Sequence, residues 1–473
     1  MQKSFQVPHT TLEQFTLENG LRVVLNEDHA VPVVSLAVYY DVGSRNEREG
    51  RTGFAHLFEH MMFQGSENVP KAGHFQYISN AGGTMNGTTS SERTNYFETL
   101  PANQLPLALW LESDRMRSLN VTQENLDNQR EAVKEEKRLR YDNQPYVNGF
   151  LRLFEMCFRN PANAHTTISS MEDLDAATVE DVREFFRIYY APNNAVLAIA
   201  GDFDRLGTQA LVEKYFTTIS RQPDPPPVDV SEPADVAQRR DTFLDKLAPV
   251  PAFALGWKAP ARRTSEFYAL SLASHLLFEG ESARLYQKLV KGEESVVQIQ
   301  GGIDERRGPS GLFVVVIPKP NRDGSQIRET ILKEINHLAT VGPSDEEMVK
   351  LRNSLFNAAA RSRQSSLFRA QQLAEFALYD GDPELFNSDL GNFLEVTVGQ
   401  IRDVVADNLD NDNRVLLDIL PAPQEAAPAA PQIPGDPKQP TAPPPQVPAA
   451  PVESGPGVPI NAQQTAELTP EST

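Results

Sequence analysis

Apolar positions along this chain change their period from two to about 3.6 and back, and those changes mark out its elements. The stretch GLRVVLNEDHAVPVVSLAVYYDVGS (20–44) sets two apolar, β-branched runs around a polar turn and predicts a pair of strands. Over about 52–64 the apolar residues recur at helical spacing instead. A second helix follows, then a strand pair around 83–99, then long helical patterns at 102–119 and 123–141. The later chain repeats the scheme more loosely, with strands near 240–259 and 295–317, helices near 265–291 and long helices from 323 to 394. Strands first and helices after predict an α+β layer architecture, an antiparallel-rich sheet packed by helices in each half, rather than a doubly wound sheet.

The two halves are related. TVEDVREFFRIYYAPNNAVL (178–197) and TVGQIRDVVADNLDNDNRVL (397–416) align without a gap, each reading as an N-capped helix that leads into a strand. A duplicated unit explains this economically. The proline cluster QPDPPPVDVSEP (222–233) reads as the linker between the copies. The expected organisation is therefore a first domain at 1–221, a linker at 222–238, a homologous second domain at 239–420 and a tail at 421–473. That tail holds no aromatic residue and almost no large aliphatic one, so it cannot bury enough apolar area to offset its ordering entropy. It is expected to be disordered and partly polyproline-II, a solvated spacer rather than a docked PxxP element.

Length and charge narrow the classes. At 473 residues the chain exceeds one ordinary core. With 44 basic against 64 acidic residues its formal charge is −20, which repels phosphate backbones and anionic bilayers and argues against a nucleic-acid partner. The single cysteine, Cys157, cannot form an internal disulfide, and its apolar setting predicts a buried thiol. No apolar run approaches the roughly 20 residues that span a bilayer, and the N-terminus has no apolar signal core. Read as it stands, the sequence is expected to remain in the cytoplasm; a mature form with a replaced N-terminus would look the same and would be periplasmic.

The chemistry lies in GRTGFAHLFEHMMFQGS (50–66). On a helix at about 100° per residue, His56 and His60 lie roughly 40° apart and Glu59 about 60° to the other side, so the three share a face. Two neutral imidazoles one turn apart are half of a zinc site; a third protein ligand would leave the fourth position to water, and the intervening carboxylate can take that water's proton. H-x-x-E-H is the inverse of the H-E-x-x-H spacing. The other six histidines (9, 29, 74, 165, 275 and 337) show no such pairing and are expected to be structural or exposed.

The run G-x-x-H-L-x-E-H-M-x-F-x-G-S at 53–66, the following GGTMNGTTSSERTNYF, the helix NQREAVKEEKRLRYDNQPY and the duplicated halves together resemble the pitrilysin, insulysin and mitochondrial-processing-peptidase family, over residues from about 15 to 420. Within it the chain looks like a short bacterial member of the zinc-bearing kind. The resemblance implies one Zn2+ per chain held by His56, His60 and a glutamate from a facing helix, for which Glu136 matches best; Glu135 and Glu131 would point about 100° and 140° away. It implies Glu59 as general base in peptide-bond hydrolysis of unstructured peptides or proteins. It also implies an edge strand at 83–88 to which substrate adds, where Asn86 and Thr88 would touch substrate backbone. The family often carries an acid seven residues before the glutamate ligand; this chain has Gln129, a neutral group beside the metal.

A second departure concerns the arginine and tyrosine, seven residues apart, that active single-chain members bring from the second half. Aligned on RLYQKLVKGEESVVQIQGG, which begins at 284, those positions fall on Val290 and Val297, neither a hydrogen-bond donor. Losing an oxyanion donor typically costs ~10²–10³ in rate. The resemblance therefore implies the zinc subunit of a heterodimer whose homologous partner supplies the Arg-x6-Tyr pair. The alternatives are a self-sufficient or homodimeric peptidase using donors such as Arg284 and Tyr286, and a non-catalytic peptide-binding scaffold that keeps a structural zinc.

Overall fold

The computed structural model describes residues 9–423 apart from 169, 236 and 411. Its first sheet contains β1 (Glu13–Thr16), β2 (Arg22–Glu27), β3 (Val33–Tyr40), β4 (Thr84–Thr89), β5 (Thr94–Pro101) and β6 (Ala195–Gly201), in the order β1-β2-β6-β3-β5-β4. Its second contains β7 (Arg239–Asp245), β8 (Ala252–Ala259), β9 (Val296–Asp304), β10 (Ser310–Pro318) and β11 (Arg414–Pro421), in the order β7-β11-β8-β10-β9. Apart from the added edge strand β1, replacing β2, β6, β3, β5 and β4 by β7, β11, β8, β10 and β9 converts the first order into the second. In both sheets a single parallel pairing, β2 with β6 and β7 with β11, sits among antiparallel ones. The α+β architecture expected from the hydrophobic pattern is therefore present twice.

The aligned segments fold alike to the level of individual hydrogen bonds. Thr178 and Thr397 each cap a helix (Val179–Tyr189 and Val398–Asn408) through a reciprocal capping box with Asp181 and Gln400. At the following strand, Asn194 Nδ2 donates to the carbonyls of Tyr189 and Asp41, and Asn413 Nδ2 donates to those of Asn408 and Lys258. These bonds fix where each helix stops and its strand begins, and they account for the shared Asn-x-Val-Leu.

Five helices of the first half concern the site: α1 (Phe54–Met61), α2 (Gly73–Asn80), α3 (Leu105–Arg117), α4 (Gln123–Lys137) and α5 (Val147–Cys157). Where the periodicity continues to 141, α4 instead ends at Lys137 and passes into a wider turn over Arg138–Asp142, closed by Asn143 N donating to the Arg138 carbonyl.

Each sheet is apolar on both faces, and the outer face is covered from the other half. On the first sheet, Val24, Ala37, Val196 and Ala198 meet Ala370, Leu373, Ala374 and Ala377 of the helix Ser366–Tyr379. On the second, Ala252, Ala254, Val415 and Ile419 meet Leu153, Phe154 and Cys157 of α5. Small residues permit the approach: a Cβ on Gly149 of α5 would lie 2.7 Å from Ile419 Cδ1. The Cys157 thiol is buried there, and burial pushes its pKa up to about 12. Arg307, on the β9–β10 turn, donates to both oxygens of Asp41 (3.0 and 2.6 Å), and its N–H donates to Glu92 on the β4–β5 turn (2.9 Å). The second half thereby grips the hairpin that carries the first sheet's edge.

Between the halves, residues 221–235 carry no regular secondary structure. β11 runs through Pro421, and Ala422 N still donates to the Asp245 carbonyl, so folded chain enters the segment read as tail. The rest of that tail, from 424, lies outside the described residues. Among the described residues no helix is long and apolar enough to cross a membrane.

Candidate metal centre

Helix α1 is oriented by its apolar side. Phe54, Leu57, Phe58 and Met61 are buried in the first core, with Phe58 stacked among Phe185, Phe186 and Tyr190. That turns the remaining face, with His56, Glu59 and His60, toward α4 and β4. Helix α4 is capped by Thr122, which accepts from Asn125 N, and buries Leu126 and Val133, so Gln129 and Glu136 face α1.

The imidazoles of His56 and His60 lie 4.9 Å apart between centroids and nearly perpendicular. Glu136 Oε2 is 3.6 Å from His56 Nε2 and 3.2 Å from His60 Nε2. Two ligands of a tetrahedral zinc stand roughly 3.3 Å apart. One ligand atom from each of the three residues lies within 4.8 Å of the others, the sole group of three such donors among the described residues. His60 Nε2 is buried and has no aligned hydrogen-bond partner even with the Glu136 oxygen beside it. Nitrogen and oxygen stand side by side, as donors to one shared cation do, and the donor set fits a divalent metal. By contrast Glu135 is exposed and pairs with Arg138, and Glu131 is exposed near Lys134.

Electrostatics divide the two histidines. Burial, helped by neighbouring His60, takes His56 down to about 4, so its ring is neutral and ready to ligate. Burial acts on His60 too, but the adjacent carboxylates of Glu136 and Glu59 outweigh it and raise its pKa. Burial opposes the Glu136 charge, and the two imidazoles overcome it, holding the carboxyl at about 2. Gln129 is buried; its Nε2 donates to Asn128 Oδ1 (2.7 Å), which leaves its oxygen to accept from His60. A neutral amide thus holds the His60 ring. Arg140, on the turn after α4, stands 3.4 Å from Glu136 Oε1 and secures the oxygen turned away from the histidines.

Glu59 is 3% exposed, and Thr89 Oγ1 donates to its Oε2 at 2.5 Å. Burial raises its pKa, with His60 and Thr89 pulling the other way. β4 passes close enough for this because position 87 is glycine: a Cβ there would sit 3.1 Å from the Tyr96 ring and 3.3 Å from Glu59 Cγ. Odd positions of β4 therefore face α1. Thr88 faces the other way, its hydroxyl donating to Asn95 Oδ1 and accepting from Arg93, while Asn86 Oδ1 accepts from Gly87 N. In the β4–β5 ladder Asn86 and Thr88 turn their main-chain groups toward β5, and those of Met85, Gly87 and Thr89 lie along the free edge.

Thr89 and Arg140 escape the motif-based reading. Thr89 was open to it, since strand alternation puts residue 89 on the face of residue 87, and so was Arg140, which follows Glu136 by the four residues that bring side chains together along a helix. The second half holds no comparable cluster among the described residues: His275 pairs with Glu279 at 3.3 Å, Val290 packs against the second core, and Val297 is exposed on β9. Arg284 is held by Glu347 and Glu334, which removes it as a free donor for substrate.

Two imidazoles and a carboxylate from two helices, converging beside a buried glutamate, are the donor set of the inverted-motif class of metallopeptidases. Residues 22–167 match the family described as Insulinase (Peptidase family M16), and residues 176–355 match Peptidase M16 inactive domain. The chain is 30% identical over 344 residues to the zinc protease PqqE of Helicobacter pylori, covering 72% of this chain and 77% of that one. It therefore belongs to peptidase family M16. A crystal structure of a protease from Helicobacter pylori superposes with a TM-score of 0.84 at 26% identity, covering 87% of this chain and all of that one (100%). The periplasmic protease PqqL from Escherichia coli shares the fold at 20% identity and TM-score 0.71, with 88% of this chain covering 48% of PqqL.

Proposed function

We propose that this protein is a zinc-dependent endopeptidase and the zinc-bearing subunit of a heterodimer whose homologous partner supplies an arginine and a tyrosine. The observation that carries the reading is the convergence of His56, His60 and Glu136 within 4.8 Å beside a buried Glu59. His56, His60 and Glu136 would hold one zinc, which when bound polarises the scissile carbonyl and lowers the pKa of water toward ~7. Glu59 acts as general base: with Oε2 fixed by Thr89, its Oε1 takes the proton of the attacking water and returns it to the leaving amine. An extended peptide would pair with the free edge of β4 through the main chain of Met85 and Gly87, beside Asn86 and Thr88, which selects unstructured segments.

Pairing is supported by what the second half lacks, with Val290 and Val297 at the expected donor positions, and by the superposition of this chain on about half (48%) of PqqL. The test is hydrolysis of an unstructured peptide by the purified chain, alone and mixed with a homologue carrying Arg-x6-Tyr, alongside zinc analysis. One zinc per chain, weak activity alone and strong activity in the mixture are expected. Full activity alone overturns the heterodimer, wild-type activity of a zinc-loaded Glu59→Gln variant overturns the general-base role of Glu59, and no hydrolysis by the zinc-loaded chain, alone or mixed, overturns the peptidase.

A further inference from the structure

The start of the metal-bearing helix is not held by its own sequence. Gly53 adopts φ 80°, and no side chain at the cap position bonds the first turn of α1. Its amides bond instead to Glu47: Oε2 accepts from Gly53 N and Oε1 from Ala55 N, each at 2.8 Å. Ala55 immediately precedes His56, so this carboxylate fixes the turn from which the first imidazole projects. A carboxylate there also complements the positive end of the helix.

The Glu47 side chain is wholly buried, and a buried carboxylate requires a partner. The partner is His165, 118 residues further on, whose Nε2 lies 3.0 Å from Glu47 Oε2 while Nδ1 meets the Pro161 carbonyl at 2.6 Å. A ring between two acceptors donates from both nitrogens. The segment around His165 is itself anchored: Asn163 Nδ2 donates to Glu232 in the linker, and the Asn163 carbonyl accepts from Arg306 of the second half at 2.7 Å.

We propose that Glu47 and His165 are a positioning pair that sets the start of α1, and through it the placement of His56, from a segment clamped by the linker and the second half. The proposal rests on the metal-site reading only for its second readout. The first is amide hydrogen exchange over 53–61 in the metal-free full chain, compared among wild type, Glu47→Ala, Glu47→Gln and His165→Gln. Glu47→Ala is expected to exchange at least tenfold faster there, with Glu47→Gln, which keeps one acceptor oxygen, in between. The second is zinc affinity by chelator competition, expected to fall about 10–100-fold in Glu47→Ala, the usual cost of losing support behind a metal ligand. Wild-type exchange and affinity in a folded Glu47→Ala protein overturn the proposal. Should that variant not fold, unchanged exchange in both Glu47→Gln and His165→Gln overturns it equally. A wild-type chain that takes up no zinc would refute the metal-site reading and leave the exchange comparison to decide this one.

Discussion

Thr89 and Glu59, thirty residues apart, are joined by a 2.5 Å hydrogen bond from the threonine hydroxyl to Oε2 of the glutamate. The bond ties the edge strand where a peptide would lie to the proposed proton acceptor. Thr89→Val removes the donor and keeps the shape. A hydrogen bond to a charged group is worth about 1.5–3 kcal/mol, so kcat is expected to fall roughly 10–100-fold. Zinc content should be unchanged and Thr89→Ser near wild type; steady-state kinetics with metal analysis checks all three.

The choice among the glutamates of α4 is equally open to measurement. Glu136→Gln is expected to lose most bound zinc, whereas Glu135→Gln, which breaks only an exposed pairing with Arg138, should keep one equivalent. Stripping zinc from the wild type should lower its melting temperature by the linkage between binding and folding, and Glu136→Gln should show little of that shift.

His165 predicts a pH dependence. Burial works against its charge, but the hydrogen bond and charge of Glu47 outweigh it, so its folded pKa is raised. A raised pKa means stability fully present below the unfolded value near 6.5 and lost as pH rises through the folded value. Unfolding free energy should therefore drop on going above about pH 6.5, by at most about 1.4 kcal/mol per pH unit from this group. His165→Gln should flatten that slope in urea titrations.

The exchanged helices give a prediction about stability. Leu373 is fully buried against the first sheet, and Leu373→Ala is expected to cost about 2–5 kcal/mol. Gly149→Ala should cost about 1–3 kcal/mol by forcing α5 off Ile419. Urea unfolding of each variant checks both.

Much of this was legible in the chain. Helical spacing alone brings His56, Glu59 and His60 to one face, and the same spacing separates Glu136 from Glu135. The gapless alignment of 178–197 with 397–416 anticipates a duplication that holds down to the bonds of Asn194 and Asn413. What stays hidden is whatever depends on distant partners. Glu47 and His165 meet across 118 residues. Strands such as β6, apolar at every position, announce that both faces are covered without saying by which helix. On β4 the reading selects Thr88, yet alternation sends Thr89 to Glu59, because Gly87 is the point of closest approach and its neighbours of the same parity share its face.

The cross-covering of the sheets by α5 and by Ser366–Tyr379 bears on how this molecule can be divided. A nick in the proline linker would not free two autonomous modules; each fragment would emerge with an alanine- and valine-lined surface stripped of its roof, and would have to find its sibling or aggregate. The half without a metal-donor triad among the described residues is thus indispensable as the roof and anchor of the half that carries one.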